Sequence, residues 1–357
     1  MFEVFGRWYK RKFSDPDSAV LLMLLVVAIV VLTFWGGLLA PVLVAVVLAY
    51  LLDWPVSRLE GIGITRTYSS LIVLAIFIGV VSVAGVALVP VVWQQGVNLV
   101  NELPEIWQKA QSWLLALPEH YPQFFTGTQI ENMLSGFERK AVDIGETVLS
   151  ASFSSLFGFA ALLIYLILVP IMLLFMLKDK QQLLDNVSSL LPKERRLINQ
   201  VGQEMNIQIL NYIRGKVIEI IIVGSVSTIT FALMDLRYSL LLGVLVGFSV
   251  LIPYIGAALV TIPIAIVALF QWGITPDFWS IMVAYAIIQA LDGNALVPIL
   301  FSEAVSLHPV YIIVAVLVFG GLWGFWGVFF AIPLASLVRA LINAWSTPNE
   351  QPQESES

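Results

Sequence analysis

Residues 239–270 read SLLLGVLVGFSVLIPYIGAALVTIPIAIVALF, a run of 32 positions without one charged side chain. A helix rises about 1.5 Å per residue, so an unbroken rod of this length would measure about 48 Å, against a hydrocarbon layer of about 30 Å. Pro253, Tyr254, Ile255 and Gly256 stand near its middle. Proline lacks the N–H that a helix needs, and glycine permits an unwound turn. The run therefore divides into two apolar segments about a break. Unpaired backbone groups at membrane depth survive only inside protein or beside a water-filled cavity. The break is then either an embedded hairpin of that kind or an ordinary turn at the membrane surface.

The rest of the chain repeats this pattern. Of 357 residues, 59% are hydrophobic and 12% charged, with a mean hydropathy of +0.92. A soluble domain carries roughly 25% charge, so lipid is the simpler solvent for this composition. Residues 19–52 form another overlong run, broken only by Gly36-Gly37 and Pro41. It is too long for the apolar core of a signal peptide and is expected to be retained in the membrane. Its length predicts two short helices, 19–35 and 38–52, turned back at the glycine pair. Further spans are expected at 69–93, 153–177, 217–234, 279–301 and 311–337, the last interrupted by Gly320, Gly321, Gly324 and Gly327. The chain is thus expected to be all-α, a polytopic helical membrane protein of about eight spans with re-entrant or broken hairpins.

Lysine and arginine favour the cytoplasmic side of a membrane. The tail 1–18 holds Arg7, Lys10, Arg11 and Lys12, the 53–68 loop holds Arg58 and Arg66, and 178–216 holds seven more, in all 13 of the 18 basic residues. The intervening segment 94–152 holds three, against seven acids. These counts predict a cytoplasmic N-terminus, three membrane helices over 19–93, an extracytoplasmic segment 94–152 and a fourth membrane helix over 153–177. A cytoplasmic basic loop, 178–216, and a C-terminal bundle, 217–345, follow. The tail 346–357 is polar and acidic and is expected to be disordered. Within the outer segment, apolar residues recur at three-and-four spacing from Leu99 to Leu117 and from Ile130 to Val148, the pattern of amphipathic helices. They could lie on the bilayer or on a neighbouring subunit, or form a lid.

Candidate chemistry is sparse. The chain has no cysteine and two histidines, His120 and His308, so no metal site or cofactor is expected. No basic patch suggests nucleic acid. No phosphate-cradling loop, zinc helix or nucleophile elbow is present, so the chain is not expected to be an enzyme. The polar residues inside the 279–301 span stand out: Gln289, Asp292 and Asn294, with Gly293 and Pro298 loosening the helix around them. An ionisable residue at membrane depth is costly and marks a solute or ion pathway by default. Asp292 could hold a proton or cation or accept from a hydroxylated solute; alternatively it caps a broken helix. Together with Pro253, Tyr254 and Gly256 these residues form the candidate pathway. Lys216 and Glu219, three apart at the start of the 217–234 span, suit a boundary ion pair. Glu219, Glu303 and His308 are kept as gating or coupling candidates, His308 alternatively stabilising the turn before Pro309.

Six segments carry a family resemblance: LLAPVLVAVVLAYLLDWPVSRLEGIG (38–63), LKDKQQLL (177–184), NYIRGKVIE (211–219), GFSVLIPYIGAALVTIP (247–263), LDGNALVPILFSEAVSLHP (291–309) and FGGLWGFWGVFFAIPLAS (319–336). In this order and spacing the chain resembles the autoinducer-2 exporter family of bacterial permease-like proteins. The resemblance implies an inner-membrane location, homo-oligomers and an elevator-like core with hairpins. It also places family motifs on Pro253, Tyr254 and Gly256, on Asp292 and Asn294, and on Leu307, His308 and Pro309. The implied activity is export of a small polar solute such as an autoinducer-2-like signal, with possible proton coupling as an expectation. A sodium–proton antiporter and a non-transporting scaffold acting through the outer amphipathic helices are the alternatives.

Overall fold

The computed structural model describes residues 16–120, 155–189, 191, 196–301 and 308–346. The Ile130–Val148 stretch, Glu303 and the tail after 346 lie outside these residues. The described chain is helical, without strands: α1 (Pro16–Gly61), α2 (Arg66–His120), α3 (Ser155–Lys178), α4 (Lys180–Ser189), α5 (Arg196–Leu233), α6 (Ser239–Ser249) and α7 (Ile255–Trp272). After α7 come α8 (Pro276–Leu291), a π-turn (Asp292–Leu296), α9 (Val297–Phe301), α10 (Pro309–Phe329) and α11 (Ala331–Ser346). Among the described residues, six helices are long and apolar enough to cross a membrane. There are seven if the bent pair Leu162–Lys178 and Lys180–Ser189, which turns by 82°, counts as one span. The chain is an all-α polytopic membrane protein.

Three long helices differ from expectation. The first run does not break at Gly36-Gly37: α1 is one helix of 46 residues, with Pro41 and Pro55 inside it. It is nevertheless bent. Leu21 shares a buried cluster with Val201 and Met205 of α5, and the Tyr50 hydroxyl donates to Asn206 Oδ1 at 2.9 Å. A straight helix would hold Leu21 and Tyr50 about 44 Å apart, whereas residues 201 and 206 are separated by about 8 Å of helix. Glycine and proline soften a helix without ending it. Next, α2 continues without interruption from its apolar half into the amphipathic 99–117 stretch. Finally, the 178–216 segment is no loop. It holds α4 and the first half of α5, whose Val201, Met205, Tyr212 and Ile213 are buried at helical spacing.

α1, α2 and α3 pack through Leu52, Val56, Val73, Leu74, Leu173 and Leu177. Their shared end is tied by charge. Arg66 donates to Leu177 O at 2.7 Å and pairs with Asp53 and Glu60, while Lys180 pairs with Asp53 at 2.8 Å. Arg66 thus satisfies an end carbonyl of α3 that the helix leaves unpaired. Arg66→Gln is expected to lower stability by about 1–2 kcal/mol, more than Lys180→Gln, whose side chain is more exposed. Thermal unfolding in detergent checks the order.

α5 is the hub of the second bundle. Val223 and Phe231 join Leu242, Val246, Ile264, Ile281 and Tyr285 in one core, which α5 shares with α6, α7 and α8. The α5–α6 contact is close because both sides are glycine. A Cβ on Gly247 would stand 2.9 Å from Ile220 O and 3.0 Å from Gly224 Cα. Small residues are what let membrane helices approach this closely. Gly247→Ala is expected to cost about 1–3 kcal/mol through overpacking. Gly79→Ala on α2, where nothing lies within 4 Å, should cost nothing and gain helix propensity. Comparing the two melting midpoints separates packing from propensity.

Candidate functional site

The 239–270 run breaks where its sequence says it should. α6 ends at Ser249, α7 starts at Ile255, and Tyr254 between them takes φ 63° and ψ −47°. A Cβ on Gly256 would collide with the Ser249 carbonyl, so the turn closes only over glycine. α6 spans 11 residues, about 17 Å of rise, too short to cross a bilayer. The break is stitched by short-range bonds, including Ile252 N–H to Ser249 O at 3.0 Å and Gly256 N–H to Ile252 O at 2.9 Å.

Val250 O at the end of α6 receives its partner from another helix. Lys216 Nζ, on α5, donates to it at 2.8 Å. The same ammonium stands 2.8 Å from Glu219 Oε2 and 5.3 Å from the centre of the Phe301 ring. A cation at a helix C-terminus answers both the unpaired carbonyl and the negative end of the helix dipole. The ring face adds cation–π attraction. Lys216 and Glu219 are 4% and 2% exposed. The pair is enclosed within the protein. α5 begins at Arg196, twenty positions before Lys216, because 196–216 is an amphipathic helix rather than a loop.

Across from this pair the α8 helix loosens into the π-turn at Asp292–Leu296. Such turns shift helix register by one residue and recur at functional sites. Asp292 lies about 24 Å along the helix from Pro276 and about 14 Å from Phe301, well inside the span. It is within electrostatic reach of Lys216 and Glu219. Asp292 Oδ1 and Gln289 Nε2, one turn apart, are both buried without a hydrogen-bond partner. Buried polar atoms are nearly always paired, so this acceptor and this donor are the unfilled valences of the site. The cluster holds two carboxylates and one ammonium, and the ammonium is committed to Glu219. Asp292 makes no ion pair of its own among the described residues.

The remaining sequence candidates divide. Pro253, Tyr254 and Gly256 form the break that Lys216 anchors. Asn294 is exposed and donates to Ala290 O at 2.8 Å, a bond within its own helix that leaves it outside the cluster. His308 accepts from Val310 N–H at 3.3 Å and caps α10, as a turn-stabilising histidine would. The Lys216–Glu219 ion pair expected from the sequence is present, but the bond from Lys216 to the break at Val250 O was not expected. The signal for a longer α5 was the three-and-four apolar spacing of 198–213, which carries it through the supposed boundary. At the opposite end of α5, Gln95 and Glu102 of α2 meet the 234–241 turn. Gln95 Oε1 accepts from Leu241 N–H at 2.9 Å, and Arg237 stands 3.6 Å from Glu102.

The profile of AI-2E family transporters matches residues 21–347. The chain belongs to that family. A relative in Escherichia coli (strain K12), named "Putative permease PerM", is 51% identical over 345 residues, covering 97% of this chain and 98% of its own length. A relative in Bacillus subtilis (strain 168), "Putative transport protein YueF", is 27% identical over 87% of this chain and 84% of its own length. A "Putative transport protein" of Thermotoga maritima is 22% identical over 95% of this chain and 98% of its own length. The AI-2E family is one of transporters, so a multi-pass protein in a lipid bilayer, handling solutes, is the setting for the Lys216–Glu219–Asp292 cluster.

Proposed function

We propose that this chain is a secondary transporter of the bacterial inner membrane that exports a small polar solute, such as an autoinducer-2-like signal, in exchange for protons, with Asp292 as the coupling carboxylate. The observation that carries the reading is the Asp292 carboxyl, its Oδ1 buried without a partner midway along a span and within electrostatic reach of the ion pair that holds the hairpin break. A carboxylate in this position alternates between protonated and ionised forms as the solute comes and goes. An elevator-like movement would carry the hairpin α6–α7 together with α5 and α8, which share its core, with Lys216 holding the break inside that unit. The residues around Arg66 and Lys180 would face the cytoplasm, as would the basic N-terminal tail, and the Glu102–Arg237 end would lie outside. Homo-oligomers complete the reading.

A sodium–proton antiporter is the second reading, favoured by the same lone carboxylate, which can hold either ion in turn. Reconstituted vesicles test both readings. Autoinducer-2 and sodium are offered in parallel, with and without a proton gradient. Gradient-dependent movement of the signal supports the exporter, and sodium-driven proton release supports the antiporter. No movement above empty vesicles removes both and leaves the scaffold reading.

A further inference from the structure

The 311–337 run is broken like the 239–270 run, and its break is also answered from α5. Inside α10, Gly324 takes φ 57° and ψ −133°, a conformation that needs glycine, and the chain doubles back there. A Cβ on Gly327 would collide with Phe319 O, and one on Gly320 would stand 2.7 Å from a Val328 methyl, so the two arms close over glycine. Phe329 O cannot take the usual helical donor, because the residue four places on is Pro333. The Tyr212 hydroxyl donates to it instead, at 2.7 Å. Tyr212 is buried and stands one turn of α5 before Lys216, which donates to Val250 O at the other break. The Phe301 ring lies against both, 5.9 Å from the Tyr212 ring centre and 5.3 Å from Lys216 Nζ. The two broken runs also meet each other. Ile252 and Ile255 of the first pack on Ala315, Val316 and Ala331 of the second.

We propose that the seam between the two broken runs is the gate to the Asp292 cluster, and that Tyr212 is the positioning residue that holds the second run closed against the first. Unpaired backbone at membrane depth needs either protein or water beside it. With the seam closed, Val250 O and Phe329 O take their donors from α5. With the seam parted, water takes both places and reaches the cluster. The two states exchange one set of hydrogen bonds for another, a balance that favours neither heavily. Ile312 and Ile332 keep α10 and α11 packed on Tyr212 and Ile213, so the second run opens by bending rather than by leaving α5. Phe330, at φ −92° and ψ 11°, is the non-helical joint between α10 and α11 that takes up the bend. The gate rests on the transporter reading for what passes it, and its movement does not.

The chain has no cysteine, so single thiols report the movement without background. Val316→Cys puts one in the seam, at a position 4% exposed, and Val56→Cys puts another in the α1–α3 core, at 0%. The full chain in lipid nanodiscs is treated with a charged methanethiosulfonate, which reaches a thiol only through water. Adding Tyr212→Phe deletes the hydroxyl and keeps the ring. It should raise the labelling rate at Val316→Cys by about tenfold, the weight of one buried carbonyl left without its donor, and leave the rate at Val56→Cys unchanged. Pro333→Ala returns a main-chain N–H to Phe329 O and should bring the raised rate back towards the starting one. An unchanged rate at Val316→Cys overturns the proposal and makes the seam a fixed contact. An equal rise at Val56→Cys, or no rescue by Pro333→Ala, overturns it too and makes Tyr212 part of the general framework. Failure here is separable from failure of the transport reading. Tyr212-dependent labelling without any gradient-driven flux upholds the moving seam and removes the transporter. Gradient-driven flux with labelling unmoved by Tyr212→Phe does the reverse.

Discussion

Lys216→Met is expected to destabilise the protein by about 3–5 kcal/mol, the cost of leaving a buried carboxylate unpaired. Three partners lose by the change at once. Glu219, at 2% exposure, keeps its charge without its counter-ion, Val250 O loses its donor at the end of α6, and the Phe301 ring loses its cation. Water cannot replace any of them without opening the α5–α6 contact, which is closed glycine on glycine at Gly224 and Gly247. The double variant Lys216→Met, Glu219→Leu should recover most of the loss, because replacing a buried pair by packed apolar groups is often close to neutral. Thermal unfolding of single and double variants in the same detergent measures the difference. If the single variant melts with the double, the pair does not hold the hairpin break, and the elevator reading loses its fastening.

The hairpin break was legible in the sequence because it is written in local chemistry: Pro253 removes a donor, and Gly256 alone fits beneath the Ser249 carbonyl. The loosened helix at Asp292 was legible for the same reason, as glycine and proline flank a charge inside an apolar run. The first run was expected as two helices turned back at the glycine pair, and it is one helix. A glycine pair and a proline weaken a helix, and whether it bends or stops depends on what packs against both arms, here Val201 through Asn206 of α5.

The position of Lys216 was lost for a different reason. Hydropathy averages over a window, so the polar face of 196–216 hid an apolar face that continues straight into the span. The charges then fell at an apparent boundary instead of in the middle of a 38-residue helix. The union of Lys216, Val250 and Asp292 is tertiary. They are 34 and 76 positions from Lys216 in the chain, and no local pattern announces that α5 supplies the cation for the break in another element.

Asp292→Asn should behave in the opposite way to Lys216→Met: full stability and no coupled transport. Its Oδ1 makes no hydrogen bond, so the amide removes no contact from the folded protein, and stability should change by no more than about 0.5 kcal/mol. What the amide cannot do is change charge. In vesicles under an imposed proton gradient, flux of the transported solute should fall to the level of empty vesicles, with oligomeric state and melting midpoint unaltered. Asp292→Glu keeps the charge on a longer arm and should retain part of the flux. The ordering Asp, then Glu, then Asn belongs to a carboxylate that gains and loses a proton. A helix-capping carboxylate would show another signature, in which asparagine, a good cap, is tolerated and stability rather than flux follows the substitution. Flux that survives in Asp292→Asn would therefore move Asp292 from the coupling site to the framework of the π-turn. The charge balance of Lys216 and Glu219 would then be complete without it.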